Sequence, residues 1–60
     1  MLLRFIGTDG SMGLRHGQVY SVGVRSDLHF IWAHVRTSWI GETKCPYDTP
    51  QAFAKNWSAL

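Results

Sequence analysis

Two β-type runs joined by a short turn constrain this fold more than any other feature of the chain. Residues 18–25 alternate, with Tyr20, Val22 and Val24 on one face, which is the pattern of a strand that buries one side. Residues 29–36 form a second run, rich in β-branched and aromatic side chains. Because residues 26–28 carry a turn signal between the two runs, we expect an antiparallel hairpin.

Two further strands are predicted, one before the hairpin and one after it. Residues 2–6 are a short apolar run that ends at a glycine. Residues 7–13 contain three glycines, an aspartate and a serine, so we expect a long loop with positive φ angles at several points. Residues 39–45 predict a fourth strand, interrupted by Gly41.

The end of the chain changes to a helical pattern. Thr49 stands directly before Pro50, which is an N-cap residue followed by proline at the first helical position. We therefore expect a helix over about residues 50–58. Phe53 and Trp57 are four residues apart, on one face of that helix, with Leu60 one turn further along.

The length of 60 residues limits both stability and function. A domain of this size buries only about 60% of the surface that its unfolded chain exposes. Its single cysteine, Cys45, has no partner for an intramolecular disulfide, so a homo-oligomer is one way to complete the core. The chain is too short to enclose an ordinary enzyme pocket. We expect no catalysis, no cofactor and no small-molecule substrate.

Composition indicates a folded protein of the cytoplasm. Hydrophobic residues make up 45% of the chain and charged residues 17%, within the range of globular domains. No apolar stretch approaches the length of a membrane span, and the first residues lack the pattern of a signal peptide. The net charge of +2 is a mild basic excess that permits nucleic-acid binding without arguing for it.

The order of these elements predicts an all-β fold with one short C-terminal helix. Four to five short strands with tight turns cannot form two full sheets in 60 residues, so we expect a small, partly open antiparallel barrel. One domain is predicted over residues 1–60. The predicted core residues are Phe5, Leu14, Tyr20, Val22, Val24, Ile31, Phe53 and Trp57.

Two resemblances to known proteins refine this expectation. Residues 13–22, Gly-Leu-Arg-His-Gly-Gln-Val-Tyr-Ser-Val, resemble the step of SH3-like barrels in which a long loop re-enters the sheet. More broadly, residues 4–7, 10–14, 45–47 and the closing Ala-Phe-x-x-Asn-Trp of residues 52–57 resemble small bacteriophage and prophage proteins. The resemblance implies an SH3-like barrel in a non-catalytic phage accessory protein, which works by binding inside a bacterial host cell.

Metal and catalytic sites are not indicated by the spacing of the residues that would form them. The acceptable zinc ligands are His16, His29, His34 and Cys45. His29 and His34 fall on opposite faces of one strand, and no recognised metal signature is present. Asp9, Ser11 and His16 include the residue types of nucleophilic catalysis without a signature. The glycine-rich loop lacks the lysine and long helix of a phosphate-binding loop, so we expect a structural loop.

Protein binding is the favoured function at this point. The strand over residues 29–36 is apolar on both faces, and an open barrel leaves an edge that pairs easily. We expect a protein-interaction module that binds a host or phage protein and that also self-associates if the edge is free. The expected contact residues are Met12, Arg15, Arg36 and Trp39.

The alternative is a small barrel that binds nucleic acid. Such proteins stack bases on exposed aromatic rings beside a basic groove. Trp32, Trp39 and Tyr20 lie on predicted strands that are able to present them. The basic residues are scattered, one to each element: Arg4, Arg15, Arg25, Arg36, Lys44 and Lys55.

Overall fold

The computed structural model describes all 60 residues and contains five β-strands and one α-helix. The strands are β1 (Leu2–Phe5), β2 (Val19–Ser26), β3 (Ile31–Arg36), β4 (Glu42–Tyr47) and β5 (Trp57–Ala59). The helix α1 is Pro50–Asn56, and a 3₁₀ turn, Ser11–Gly13, lies between β1 and β2. The predicted small all-β class is confirmed. No helix has the length and apolar character needed to cross a bilayer.

All five strands belong to one antiparallel sheet in the order β4-β3-β2-β1-β5. The central strand β2 pairs with β1 near its beginning, where Arg4 lies opposite Val19. It pairs with β3 from Ser21 to Ser26. The edge strands β4 and β5 do not pair with each other, so the sheet stays open and does not close into a barrel. The SH3-like assignment stays a prediction.

The predicted hairpin is confirmed as β2 and β3, with a turn held by Asp27. One Asp27 carboxylate oxygen accepts the backbone amides of His29 and Phe30, both at 2.8 Å. These two amides are therefore satisfied inside the turn, which explains why β3 begins at Ile31 and not at His29.

The prediction that the fourth strand begins at Trp39 is wrong. Residues 37–41 form a turn closed by the Thr37 amide on the Gly41 carbonyl at 3.1 Å, and β4 begins at Glu42. The Gly41 amide also donates to Ser38 Oγ at 2.9 Å. The chain reverses here because its polar groups are satisfied within the turn, which leaves the apolar Trp39 outside the sheet.

Eight residues form the hydrophobic core on one face of the sheet. They are Leu3, Phe5, Leu14, Val22, Ala33, Val35, Cys45 and Trp57. The predicted burial of Phe5, Leu14, Val22 and Trp57 is confirmed, and Tyr20 and Phe53 pack against the core while half-buried. Ile31 is also only half-buried. The prediction for Val24 is wrong, because it is 41% exposed and lies beyond the part of β2 that pairs with β1.

The helix begins as predicted and ends earlier. Thr49 is the N-cap, and its Oγ1 accepts the amide of Ala52 at 3.1 Å. The helix ends at Asn56, and Trp57 has extended backbone angles and pairs with Phe5 in β5. The prediction that the helix reaches residue 58, with Phe53 and Trp57 on one helical face, is therefore wrong. The free edge of β1 offers backbone partners that a longer helix would leave unused.

Side chains connect the two open edges of the sheet. The Trp57 indole Nε1 of β5 donates to the Tyr47 hydroxyl of β4 at 2.9 Å. The Phe53 ring packs edge-on against Tyr47, with ring centroids 5.6 Å apart. Burial raises the pKa of Tyr47 and that of the neighbouring Cys45 thiol. We call the Tyr47–Trp57 contact the clasp, since it holds together two strands that share no backbone hydrogen bonds.

Candidate functional site

The face of β2, β3 and β4 that points away from the core carries most of the polar and aromatic side chains of these strands. Because side chains alternate along a strand, the residues between core positions share this face. The strand register arranges them in three rows of neighbours. This outer face consists of Ser21, Arg36 and Glu42 in the first row, Gly23, His34 and Lys44 in the second, and Arg25, Trp32 and Pro46 in the third.

Three cations on the outer face have no acidic partner. Arg25, Arg36 and Lys44 are exposed, and none of them takes part in an ion pair. Glu42 lies opposite Arg36 in the register, but its carboxylate contacts His34. The positive charges of this face are therefore available to an anionic ligand.

A groove of about 370 Å³ lies on the outer face, at the end next to the turn between β2 and β3. Its lining residues come from three strands and one turn: Arg25, Ser26, Asp27, Trp32, His34 and Lys44. Arg25 and Lys44 belong to β2 and β4, which lie on either side of β3, so the two cations flank the Trp32 and His34 rings. The groove thus contains two aromatic rings and two cations, together with the Asp27 carboxylate.

The Trp32 ring is held in a fixed position by Asp27. The indole Nε1 donates to the second carboxylate oxygen of Asp27 at 2.9 Å. The Phe30 ring packs edge-on against Trp32, with centroids 5.7 Å apart. The backbone amide of His29, followed by the Trp32 indole, holds the pKa of Asp27 below its usual value, so the carboxylate stays ionised as the acceptor.

The His34 ring is oriented in a similar way by a second carboxylate. His34 Nδ1 lies 3.2 Å from Glu42 Oε1. Gly23, the neighbour of His34 on β2, has no side chain to cover the ring. Both rings of the groove are therefore positioned by acidic residues, and the two acids are engaged with those rings instead of with the cations.

Two of the predicted contact residues, Met12 and Arg15, lie in the loop between β1 and β2. Met12 is exposed and has a positive φ of 54°. The Arg15 guanidinium is 3.9 Å from the Asp9 carboxylate, in an exposed pair of little energetic weight. The Arg15 amide donates to the Tyr20 hydroxyl at 2.9 Å, so its backbone helps to order the loop.

The other two predicted contact residues, Arg36 and Trp39, lie at the end of β3 and in the following turn. Arg36 is on the outer face, one row from the groove. Trp39 is 91% exposed and its neighbour Ile40 is 93% exposed, so neither side chain contributes to the core. The register brings this turn to the same end of the sheet as the loop of Met12 and Arg15. No hydrogen bond or ion pair joins the two groups.

The loop between β1 and β2 is ordered by its own polar groups. The amide of His16 donates to Asp9 at 3.0 Å, and its ring nitrogen Nδ1 lies 2.9 Å from the Gly7 carbonyl oxygen. Gly10 and Gly13 have φ angles of 86° and 76°, which confirms the prediction of positive φ angles in residues 7–13. His16 and Asp9 thus form structural contacts. The histidines, the cysteine and the acidic residues form no cluster of three potential metal ligands.

Sequence reasoning missed the grouping of Arg25, Lys44 and Trp32. Each strand contributes one cation, so the basic residues look scattered along the chain. Two-residue alternation places these side chains on one face only when it is applied to β2, β3 and β4 together, in their antiparallel register. Arg36 is the one predicted contact residue that belongs to this outer face.

Comparisons with known proteins leave this geometry as the basis for assigning a function. No protein-family model, no curated protein and no solved structure matches the chain significantly.

Proposed function

We propose that this protein is a non-catalytic module that binds single-stranded nucleic acid through the outer face of β2, β3 and β4. One observation carries the proposal: three cations without acidic partners share a face with a fixed indole ring. Phosphate groups supply the anionic partners that Arg25, Arg36 and Lys44 lack. Trp32 offers a flat ring on which a base stacks.

The aromatic groove favours a single strand over a duplex. In a duplex the bases stack on each other and present only their edges, so the Trp32 ring would find no base face to contact. In a single strand the bases are free to turn toward the protein while the backbone follows the positive charges. A role of this kind is compatible with the resemblance to small phage accessory proteins that act in a bacterial host cell.

The salt dependence of binding tests this proposal directly. We would measure the affinity for a dye-labelled single-stranded oligonucleotide by fluorescence anisotropy between about 50 and 200 mM salt. The logarithm of the binding constant should fall linearly with the logarithm of the salt concentration. Because each phosphate contact on a single strand contributes about 0.7 to the slope, Arg25→Ala and Lys44→Ala should each reduce the slope by about that amount.

Lys55→Ala provides the matched control. Lys55 is an exposed cation on α1, outside the outer face, so its removal changes the net charge equally without touching the groove. We expect the slope of this variant to equal that of the parent protein. Absence of binding at low salt, or equal slopes for all three variants, would contradict the proposal.

A second candidate function is protein binding through the turn between β3 and β4, because Trp39 and Ile40 are almost completely exposed. Adjacent bulky apolar side chains on a surface are typical of contact sites. We propose that a partner protein of the host or phage, or a second copy of this chain, covers them.

A capture experiment tests this second candidate. Tagged protein is incubated with bacterial lysate, with and without nuclease, and the retained proteins are identified by mass spectrometry. A partner bound through Trp39 should be retained in both samples. The Trp39→Ala variant should not retain it, because loss of the indole ring should weaken binding by about 2 kcal/mol or more. The variant should keep its fold, because Trp39 makes no core contact. Equal retention by the parent and the variant would contradict a role for this turn.

A further inference from the structure

Gly23 is an anomaly in the centre of the longest strand. Glycine weakens a strand, and within one it often marks a place where a ligand or another backbone approaches closely. Gly23 does not have the positive φ that would require glycine. A Cβ atom built at this position would meet only the Cβ of His34, at an ordinary 3.9 Å. The fold itself therefore gives no reason for glycine here.

The other glycines of the chain each have a structural reason. Gly10, Gly13 and Gly17 have positive φ angles. A Cβ at Gly7 would overlap the Phe5 ring, whose Cζ would lie 2.6 Å away, and a Cβ at Gly41 would lie 2.6 Å from Ser38 Oγ. Among the six glycines, Gly23 alone has neither a positive φ nor a crowded position.

The space left by Gly23 lies beside the second ring of the groove. Gly23 is the neighbour of His34 on β2, and Lys44 is the neighbour of His34 on β4. His34 and Trp32 are two residues apart on the same face of β3, a separation of about 6.5 Å along a strand. An extended single strand is able to place successive bases on two such rings, as aromatic residues on other nucleic-acid-binding sheets do.

We propose that Gly23 leaves a stacking position open for a second base against His34, so that the outer face binds two successive nucleotides, one on Trp32 and one on His34. This inference rests on the proposed function and names its ligand more closely. The carboxylates of Asp27 and Glu42 hold the two rings, and Lys44 and Arg25 lie beside them to contact phosphates.

Substitutions at Gly23 test the proposal, since they fill the second stacking position without removing any charged group or aromatic ring. We would measure the affinity of Gly23→Ala and Gly23→Val for a short single-stranded oligonucleotide, together with their thermal unfolding. Affinity should fall with the size of the added side chain, by about tenfold for Gly23→Val. The unfolding midpoint should stay the same or rise, because the replacement suits a strand better than glycine does.

Ala59→Val is the matched control. Ala59 is an exposed residue of β5, outside the outer face, so the change also places valine on a strand but leaves the groove and its cations untouched. Its affinity should stay within about twofold of that of the parent protein. Affinity for Gly23→Val equal to that of the parent would overturn the inference while leaving the proposed function intact.

A length series on the unmodified protein provides a second, independent test. The affinity should rise by about tenfold or more from a mononucleotide to a dinucleotide. It should then rise more slowly with further nucleotides. Equal affinity for a mononucleotide and a dinucleotide would overturn the inference of a second stacking position even if Gly23→Val failed to fold. Absence of binding by the parent to oligonucleotides of every length would overturn the proposed function as well.

Discussion

Replacing Tyr47 with phenylalanine tests the clasp that connects the two edges of the sheet. The change removes only the hydroxyl oxygen that accepts the Trp57 indole hydrogen at 2.9 Å. Because Trp57 is 4% exposed, water has little access to its Nε1 once the acceptor is lost. An unsatisfied buried donor costs about 1–3 kcal/mol, and since the Trp57–Tyr47 bond is only partly buried we expect about 1.5 kcal/mol.

The loss is large in proportion to the stability of so small a domain, which rarely exceeds about 3–5 kcal/mol. For a chain of this length, about 1.5 kcal/mol lowers the unfolding midpoint by about 6–12 °C. Thermal unfolding followed by circular dichroism measures the shift. The indole signal of Trp57 in an NMR spectrum would also move, because its hydrogen-bond partner is gone.

Tyr20→Phe is the matched control for this experiment. The Tyr20 hydroxyl accepts the Arg15 amide at 2.9 Å, in an exposed position where water takes over the bond. We expect a loss of less than about 0.5 kcal/mol for this variant. Equal midpoints for the two tyrosine variants would show that the hydroxyl of Tyr47 does not hold the sheet edges together, and would refute the reasoning.

Three further changes probe other parts of the fold. Leu14→Ala removes a fully buried side chain and should cost about 2–5 kcal/mol, so we expect a mostly unfolded protein by far-ultraviolet circular dichroism; a cooperative transition near that of the parent would contradict this. Thr49→Ala removes the helix cap and should lower the free energy of unfolding by about 1 kcal/mol in urea titrations. Thr49→Ser keeps a capping hydroxyl and should retain most of the stability of the parent protein. The hydrogen bond from the His29 amide holds the pKa of Asp27 below its ordinary value of 3.8, so the stabilisation of the turn by the carboxylate is fully present above that pH and is lost as the pH falls through the lowered pKa. The Trp32 indole resonance should report this loss on acidification, and Asp27→Asn should remove the pH dependence.

Local patterns predicted the parts of the fold that depend on local interactions. The alternation in residues 18–25 correctly indicated β2, and the Thr49–Pro50 pair correctly indicated the start of α1. Trp57 was misplaced because its four-residue separation from Phe53 suits a helix, and a three-residue strand is too short to show a period of its own. Its true partner, Phe5, lies at the other end of the chain.

The candidate site was harder to predict because it depends on register between strands that are separate in the sequence. Trp39 looked like part of a strand because it is aromatic and precedes an isoleucine, yet both lie in an exposed turn. Arg25, His34 and Lys44 come together only after β2, β3 and β4 are aligned. No local pattern in the sequence contains that alignment.

The pairing of β1 with β5 has a consequence for the order in which the protein assembles. β2, β3 and β4 follow one another along the chain and are joined by short turns, so their contacts form with little loss of chain entropy. Leu3 pairs with Ala59, and this contact requires closure of a loop that includes almost the whole chain. We therefore expect the three strands of the outer face to form early in folding. The pairing of β5, which contains Trp57, with β1 then forms last and sets the folding rate.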